Sequence, residues 1–192
     1  ETGRREVAFL GKRFVQALAQ LRSLPPSHRG GLRWLGALLG RPLVYELPWY
    51  VIIGAPGAGK TTVLLNSGLH FPLADGSDDG GASARHAIRG VGGTRNCDWW
   101  FASEAVLIDT AGRYTTQDSD RDADRTAWLG FLDLLRRHRP QRPINGVLLA
   151  VSASDLLQAT PERTAAHAAE LRQRLDEISA RLALDVPVYV LV

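Results

Sequence analysis

This chain of 192 residues has no methionine, one cysteine and two lysines. The single Cys97 excludes an internal disulfide and suits a reducing compartment. The five histidines do not have the spacing of metal ligands. No apolar run approaches the roughly 18 residues of a membrane span. Because methionine is missing and the last residues, 186–192, have the pattern of a core strand, we expect a fragment.

The net charge of +3 is carried almost wholly by arginine, and the arginines are spread along the chain. Domains that bind nucleic acid cluster their basic residues on one face, so we expect no nucleic-acid partner. The length fits one domain with a substantial core.

One stretch matches in full the phosphate-loop pattern G-x-x-x-x-G-K-[ST]. It follows an apolar run, 49–53, that is typical of a buried strand, and it precedes a short helical pattern, 62–67. Strand, glycine-rich loop and helix form the context in which the pattern indicates nucleotide binding. The predicted nucleotide-binding residues are Gly54, Ala55, Pro56, Gly57, Ala58, Gly59, Lys60, Thr61 and Thr62.

The chemistry of phosphate binding explains these residue types. Glycines let backbone N–H groups turn toward phosphate oxygens at the start of a helix. Lys60, a catalytic candidate, is expected to reach the β- and γ-phosphates from an exposed loop, and the Thr61 hydroxyl is expected to bind Mg²⁺. The sequence therefore predicts a site for a nucleoside triphosphate, GTP or ATP, with Mg²⁺.

The first 46 residues form a helical lead-in, which we separate from the domain proper, 47–192. Residues 4–24 carry apolar side chains at three- and four-residue spacing, which predicts an amphipathic helix that ends before Pro25. A second apolar and basic segment spans 34–39. Two interpretations stay open: two helices packed on one edge of the sheet, or a juxtamembrane connector with basic residues near lipid head groups.

Two short apolar strands are predicted at 97–101 and 105–108, with only residues 102–104 between them. A parallel crossover needs a dozen or more residues, so these strands are predicted to form an antiparallel hairpin. The hairpin would give an otherwise parallel sheet one antiparallel edge strand.

The second of these strands leads into the pattern D-x-x-G, from Asp109 to Gly112. A carboxylate at this place, 49 residues after the loop lysine, is expected to hold Mg²⁺. The N–H of Gly112 is expected to contact the γ-phosphate, which makes Gly112 a catalytic candidate. Thr94 lies where switch GTPases place a threonine that closes over Mg²⁺ and the γ-phosphate, so it is a candidate metal ligand and catalytic residue. An ordinary loop threonine is the alternative.

The remaining pattern completes a doubly wound α/β domain of the phosphate-loop NTPase kind, similar to small GTPases. Polar composition predicts a mobile surface loop at 73–90 and an exposed one at 114–120. A helix is predicted at 122–138, with paired Asp and Arg residues on a solvated face, and another opens at Thr160 and Pro161. A buried strand is predicted at 144–152, and the core strand at 186–192 leaves the domain truncated at its C-terminal end.

Several strings together carry a resemblance to a known family. They are LPWY at 47–50, GTRNCDWWF at 93–101, DTAGRYTTQ at 109–117 and RPINGV at 142–147. From about Leu47 onward the chain resembles the IcmF/TssM family of type VI secretion, whereas residues 1–46 match only in general character. The resemblance implies a GTPase-like domain on the cytoplasmic face of the bacterial inner membrane, within a large integral membrane protein. The family's partners are the TssL and TssJ subunits of the membrane complex that anchors a contractile secretion apparatus.

Two departures from the switch-GTPase pattern bear on the chemistry. Arg113 follows Gly112 where Ras-like enzymes have a glutamine that orients water, so unaided hydrolysis is expected to be slow. Arg113 is a catalytic candidate if it stabilises transition-state charge, but we favour a bystander in a loop open to solvent. The element that distinguishes guanine would follow the final strand, so ATP and GTP are not distinguished.

Two alternatives to a hydrolysing switch remain open. One is a structural scaffold that binds nucleotide without turnover, which the missing glutamine allows. The other is a GTPase of the signal-recognition-particle type, since those proteins also carry D-T-A-G-R after a helical N-terminal segment. Their first and third motifs lie much further apart across parallel connections, so the predicted hairpin argues against this type.

Overall fold

The computed structural model describes residues 1–23, 43–69 and 97–192. Three predicted features lie outside these ranges: the second lead-in segment at 34–39, the surface loop at 73–90 and Thr94. The described residues form five strands: β1 (Trp49–Ile53), β2 (Cys97–Phe101), β3 (Val106–Thr110), β4 (Gly146–Ala150) and β5 (Val188–Leu191). They also form six α-helices: α1 (Thr2–Ser23), α2 (Lys60–Leu65), α3 (Gly112–Thr116), α4 (Arg121–His138), α5 (Ala153–Gln158) and α6 (Pro161–Leu182).

The strands form one sheet in the order β2-β3-β1-β4-β5. Strand β1 is parallel to both β3 and β4, and β4 is parallel to β5. Strand β2 lies at the edge and is antiparallel to β3, with the hairpin closed by a 2.9 Å bond from Ala102 N to Ala105 O. The prediction of a mostly parallel sheet with one antiparallel edge strand is confirmed.

The sheet buries apolar side chains on both faces. One face packs against α1, α4 and α6 around Trp49, Val51 and Ile53. The opposite face is a smaller cluster that contains Leu64 of α2 and Trp100 of β2. Among the described residues, three long helices thus cover the first face, and the short helix α2 packs on the second. This arrangement leaves the carboxyl ends of the parallel strands β1, β3 and β4 at one edge, where ligands bind in such sheets.

Helix α1 belongs to the main core. Its residues Leu10, Phe14, Ala17 and Leu21 recur at helical spacing and are all buried. The Phe14 ring stacks on His138 of α4 at 4.5 Å between centroids. Close packing of α1 on α4 needs a glycine in α4, because a Cβ at Gly130 would lie 2.4 Å from Cγ2 of Val7. The lead-in helix is thus packed against the domain.

The two long helices after β3 begin close to their predicted starts. Helix α4 begins one residue earlier than predicted, at Arg121, and Asp120 caps it by accepting a 3.2 Å bond from Ala123 N. Thr160 caps α6 in the same way by accepting from Arg163 N, and Pro161 occupies the first turn.

The predicted exposure is wrong in two stretches of the fold. Residues 114–120 were expected to be exposed; 118–120 are exposed, but Tyr114 and Thr115 lie in α3 and are buried between the sheet and the helices. The last strand was expected in the core, but β5 lies at the sheet edge, and Val188, Tyr189 and Val190 are 41%, 48% and 60% exposed. An edge strand is buried only where another element packs on it. An apolar run in the sequence does not show whether such an element is present, so β5 was wrongly expected in the core.

Candidate phosphate-binding site

The loop between β1 and α2 turns sharply at its glycines. Gly54 has φ of 153°, and a Cβ there would lie 2.4 Å from the Ala150 carbonyl oxygen of β4. Gly59 has φ of 80° and is the left-handed N-cap of α2. Side chains other than hydrogen are strained in such conformations, so the positions of these glycines follow from the path of the loop.

Lys60 is enclosed by this loop. Its Nζ donates 2.8 Å hydrogen bonds to the carbonyl oxygens of Gly54 and Ala55, and the residue is only 8% exposed. Burial lowers the pKa of the ammonium, an effect that the nearby Asp109 carboxylate opposes. The expectation of an exposed loop lysine is wrong, because the backbone wraps around the ammonium. An ammonium has three N–H donors, and the described residues use two of them.

Thr61 and Asp109 meet beside this lysine. Asp109 lies on β3 next to Ile52 of β1, and since these parallel strands end at the same edge, the carboxylate reaches α2. Thr61 Oγ1 donates to Asp109 Oδ2 at 2.6 Å, and Asp109 is fully buried. A hydroxyl and a carboxylate are the hard oxygen donors that Mg²⁺ prefers.

The donor set fits a magnesium ion that is held jointly by protein and ligand. In the parts of the chain that the structure describes, no group of three or more His, Cys, Asp or Glu side chains could hold a metal. Magnesium in phosphate-loop sites does not need such a group, because phosphate oxygens and water complete its coordination. A site with one hydroxyl and one carboxylate therefore suits Mg²⁺ only together with a phosphate-bearing ligand.

Helix α3 lies directly on the phosphate loop. A Cβ at Gly112 would lie 2.4 Å from Pro56 N and 2.8 Å from the Ala55 carbonyl carbon. Near the other end of α3, the Thr115 hydroxyl accepts a 3.1 Å bond from Gly54 N. The D-x-x-G glycine and the phosphate loop are therefore in contact, as the motif requires.

Arg113 does not lie in a solvent-open loop as expected. Its guanidinium donates to the carboxylates of Glu6 in α1 and Asp124 in α4, and the Tyr114 hydroxyl also donates to Glu6. Burial lowers the pKa of Arg113, but the hydrogen bonds to these two carboxylates outweigh burial and raise it. From the other side, Arg174 of α6 donates to the Tyr114 carbonyl oxygen at 3.4 Å. Three helices thus hold α3 in place.

Sequence reasoning missed three residues of this region: Glu6, Thr115 and Asp124. Asp124 was expected on a solvated helix face, but it is buried and also accepts a 2.6 Å bond from Ser119. One sequence signal was available for Glu6, because it lies one turn before Leu10 in the buried stripe of α1. Of the predicted site residues, Thr62 is exposed on α2, and Thr94 lies outside the described ranges.

A cavity of about 580 Å³ opens beside the loop. Ala55 and Ala58 of the loop line one side, and Ser152, after β4, lines another. Polar side chains of α5 and α6, among them Asp155 and Arg163, complete the lining. Its volume lies in the range of pockets that hold small ligands, about 300–1,000 Å³.

Comparison with known proteins places the chain in a family. The model of the IcmF-related N-terminal domain matches residues 121–192. A curated relative, the type VI secretion system component TssM1 of Pseudomonas aeruginosa, is 53% identical over 186 residues, which cover 97% of this chain. The chain spans only 15% of the length of that relative. No solved structure matches the chain.

None of the helices in the described ranges combines the length and apolar character that a membrane span requires. The quoted strings from LPWY to RPINGV lie within a chain that aligns almost completely with the relative. The family model and this relative agree with each other. The chain therefore belongs to the IcmF/TssM family.

Proposed function

We propose that the chain is a nucleoside-triphosphate-binding switch domain of a type VI secretion component, with Mg²⁺ as cofactor and GTP or ATP as ligand. The observation that carries this proposal is the 2.6 Å contact between Thr61 Oγ1 and Asp109 Oδ2, beside the enclosed ammonium of Lys60. Phosphate-loop NTPases hold their metal with this pair of groups and their phosphates with this lysine. We therefore assign the fold to the phosphate-loop NTPases.

Each group has a distinct task in this proposal. Backbone N–H groups of Gly57, Gly59 and the first residues of α2 surround the phosphates, and the third N–H of Lys60 donates to a phosphate oxygen. Thr61 and Asp109 hold Mg²⁺, which neutralises phosphate charge when bound. Gly112 packs directly on Pro56, which supports the proposal that its backbone N–H senses the terminal phosphate.

We expect unaided hydrolysis to be slow. Two carboxylates of the protein, Glu6 and Asp124, already engage the Arg113 guanidinium, which therefore has to leave them before it can stabilise transition-state charge. The residue directly after Gly112 is Arg113, so that position has no glutamine to orient a water molecule. This missing glutamine favours the second candidate function, a scaffold that binds nucleotide without turning it over.

The cavity beside the loop is the proposed place for the nucleoside. It lies at the carboxyl ends of β1 and β4, and Ala55 and Ala58 connect it directly to the phosphate site. Ligands of doubly wound sheets bind at these strand ends. Asp155 can accept hydrogen bonds from a base, so it is a candidate for contact with guanine or adenine.

The family sets the proposed biological context. The relative is a type VI secretion component, and we propose that this domain acts on the cytoplasmic face of the inner membrane. Subunits of the TssL and TssJ type are the proposed partners, and membrane attachment is assigned to parts outside this chain. In this context, nucleotide binding would report to the assembly of the secretion complex.

Isothermal titration calorimetry with Mg²⁺ and either GTP or ATP tests nucleotide binding. Lys60→Ala is expected to abolish binding, because it removes the charge that contacts the phosphates. Lys12→Ala is the matched control, since Lys12 is the other lysine and is exposed on α1. Equal affinity in Lys60→Ala and Lys12→Ala would contradict the assignment of the site.

The metal assignment has a separate test. Asp109→Asn keeps the shape of the side chain but removes its charge, so binding should lose most of its dependence on Mg²⁺ while some nucleotide affinity remains. Steady-state nucleotide hydrolysis by the wild-type chain, measured under the same conditions, distinguishes a slow enzyme from a scaffold. An unchanged Mg²⁺ dependence in Asp109→Asn would show that the metal lies elsewhere.

A further inference from the structure

Helix α1 carries two charged side chains on one face, two turns apart: Glu6 and Arg13. A separation of seven residues places both on the same side of a helix. Each of them contacts an element that borders the candidate site. Arg13 donates a 3.0 Å bond to Asp98, which lies directly opposite Asp109 in the β2–β3 register. Glu6 accepts from Arg113 and Tyr114 of α3.

The Glu6 contact leads to the phosphate loop through one short helix. Helix α3 has five residues. Its side chains at 113 and 114 bind Glu6, and its residues Gly112 and Thr115 contact the loop. If nucleotide binding at the loop moves α3, the contacts between α3 and Glu6 therefore have to change.

The two halves of α1 are held differently. Residues 13–21 are fixed by the Arg13–Asp98 ion pair and by Phe14, which packs between His138 and the rings of Trp49 and Trp99. Five of residues 2–9 are exposed, and of these eight residues Gly3 alone is buried. This half contacts α4 through Gly3 beside Thr126 and through half-buried Val7 on Gly130. Besides these apolar contacts, Glu6 provides the contacts of this first half with α3. A loss of the Glu6 contacts should therefore loosen residues 2–9 and leave residues 13–21 in place.

We propose that the first half of α1, residues 2–9, is released when a triphosphate binds at the phosphate loop, and that Glu6 is the positioning residue that holds it otherwise. The inference rests on the proposed nucleotide site. A γ-phosphate attracts the Arg113 guanidinium and repels the Glu6 carboxylate. The phosphate and Glu6 therefore compete for the guanidinium of Arg113 on α3. By linkage, a change that frees α3 from Glu6 tightens triphosphate binding.

Affinity measurements test the linkage. The ligand is Mg²⁺ with a non-hydrolysable analogue of GTP or ATP. We expect Glu6→Gln to bind it about fivefold or more tightly than the wild type, because fivefold is the lower end of usual coupling factors. Glu1→Gln is the matched control just before α1. Glu1 is exposed and, within the described part of the chain, pairs with Arg5, so the affinity of this variant should not change. A merely structural role for Glu6 would weaken or preserve affinity.

Tyr114→Phe separates the proposed path from a general charge effect. It removes one hydrogen bond to Glu6 without any change of charge, so it should tighten binding in the same direction by a smaller factor. If only the charge of Glu6 mattered, Tyr114→Phe would bind like the wild type. This variant also keeps the test valid should Glu6→Gln fold poorly.

Amide hydrogen exchange of the wild-type chain gives the decisive measurement. With the Mg²⁺–triphosphate analogue, amides of residues 2–9 should exchange at least about fivefold faster, and those of residues 13–21 should not change. Mg²⁺ with the diphosphate should have a smaller effect. If the analogue binds but residues 2–9 keep their protection, the inference is wrong and the proposed function stands. If the wild type binds no nucleotide, the proposed function fails and the inference fails with it.

Discussion

Replacement of Gly112 by alanine measures how tightly α3 is pressed on the phosphate loop. The added Cβ would lie 2.4 Å from Pro56 N, 2.6 Å from Pro56 Cα and 2.8 Å from the Ala55 carbonyl carbon. All three atoms are backbone, so no side chain can rotate away. To reach 3.4 Å, an ordinary contact, the first of these distances must grow by 3.4 − 2.4 = 1.0 Å. Gly112→Ala therefore forces α3 and the loop apart.

Two effects of opposite sign decide the size of the change. The φ of Gly112 is not positive, so alanine fits the local backbone and would by itself stabilise the fold by about 0.4–1 kcal/mol. Overpacking against a rigid backbone costs about 1–3 kcal/mol. We expect a net loss of about 1–2 kcal/mol in the free energy of unfolding. For a domain of this size each kcal/mol shifts Tm by about 2–4 °C, so Tm should fall by about 2–8 °C.

Thermal unfolding without nucleotide, followed by circular dichroism, is the assay. Gly11→Ala is the matched control: it lies inside α1, and its Cβ would meet only Leu134 Cδ2 at 3.7 Å. Alanine in a helix interior stabilises the fold by about 0.5–1 kcal/mol relative to glycine, so this control should raise Tm. A Tm for Gly112→Ala at or above that of the wild type would refute the close contact between α3 and the loop.

Three further predictions concern two buried polar side chains and one half-buried histidine. Lys60→Ala should lower the stability of the nucleotide-free chain by about 1–2 kcal/mol, because two carbonyl oxygens lose their donor, and denaturant titration measures it. His138 stacks on Phe14, and burial, with a smaller effect of Arg137, lowers its pKa. The unfolded chain then binds the proton more readily, so Tm should fall as pH drops below about 6.5, and less steeply in His138→Leu. Arg139→Ala should cost about 3 kcal/mol in urea unfolding, since it leaves a cavity beside the Trp49 ring, 4.8 Å away, whereas exposed Arg136→Ala should cost little.

The sequence was sufficient to predict the antiparallel edge of the sheet and the proximity of Thr61 and Asp109, which were both expected to hold one Mg²⁺. The four residues between β2 and β3 leave no room for a crossover, so the antiparallel pairing of these strands follows from the length of their connection alone. Lys60, Thr61 and Asp109 belong to local motifs at the ends of parallel strands, and parallel neighbours end at the same edge. Their proximity needs no knowledge of side-chain packing.

The surroundings of Arg113 could not be predicted in this way. Its partner Glu6 is 107 residues away in the chain, on a helix whose position depends on the Gly130 contact and on the whole apolar stripe of α1. The burial of Lys60 escaped prediction for a related reason. Glycine-rich composition indicates a loop but does not say that its carbonyl oxygens turn inward. Long-range packing and the backbone path decide these two environments, and neither has a local sequence pattern.

The exposed strand β5 has a practical consequence for work with this chain in isolation. An edge strand presents N–H and C=O groups that can pair with another chain, and apolar side chains make such pairing more favourable. Val188, Tyr189 and Val190 are all more than 40% exposed on this strand. Concentrated preparations should therefore self-associate edge to edge and, with time, aggregate. A lysine at Val190 would oppose that association, because a charged side chain on an edge strand disfavours the addition of a further strand.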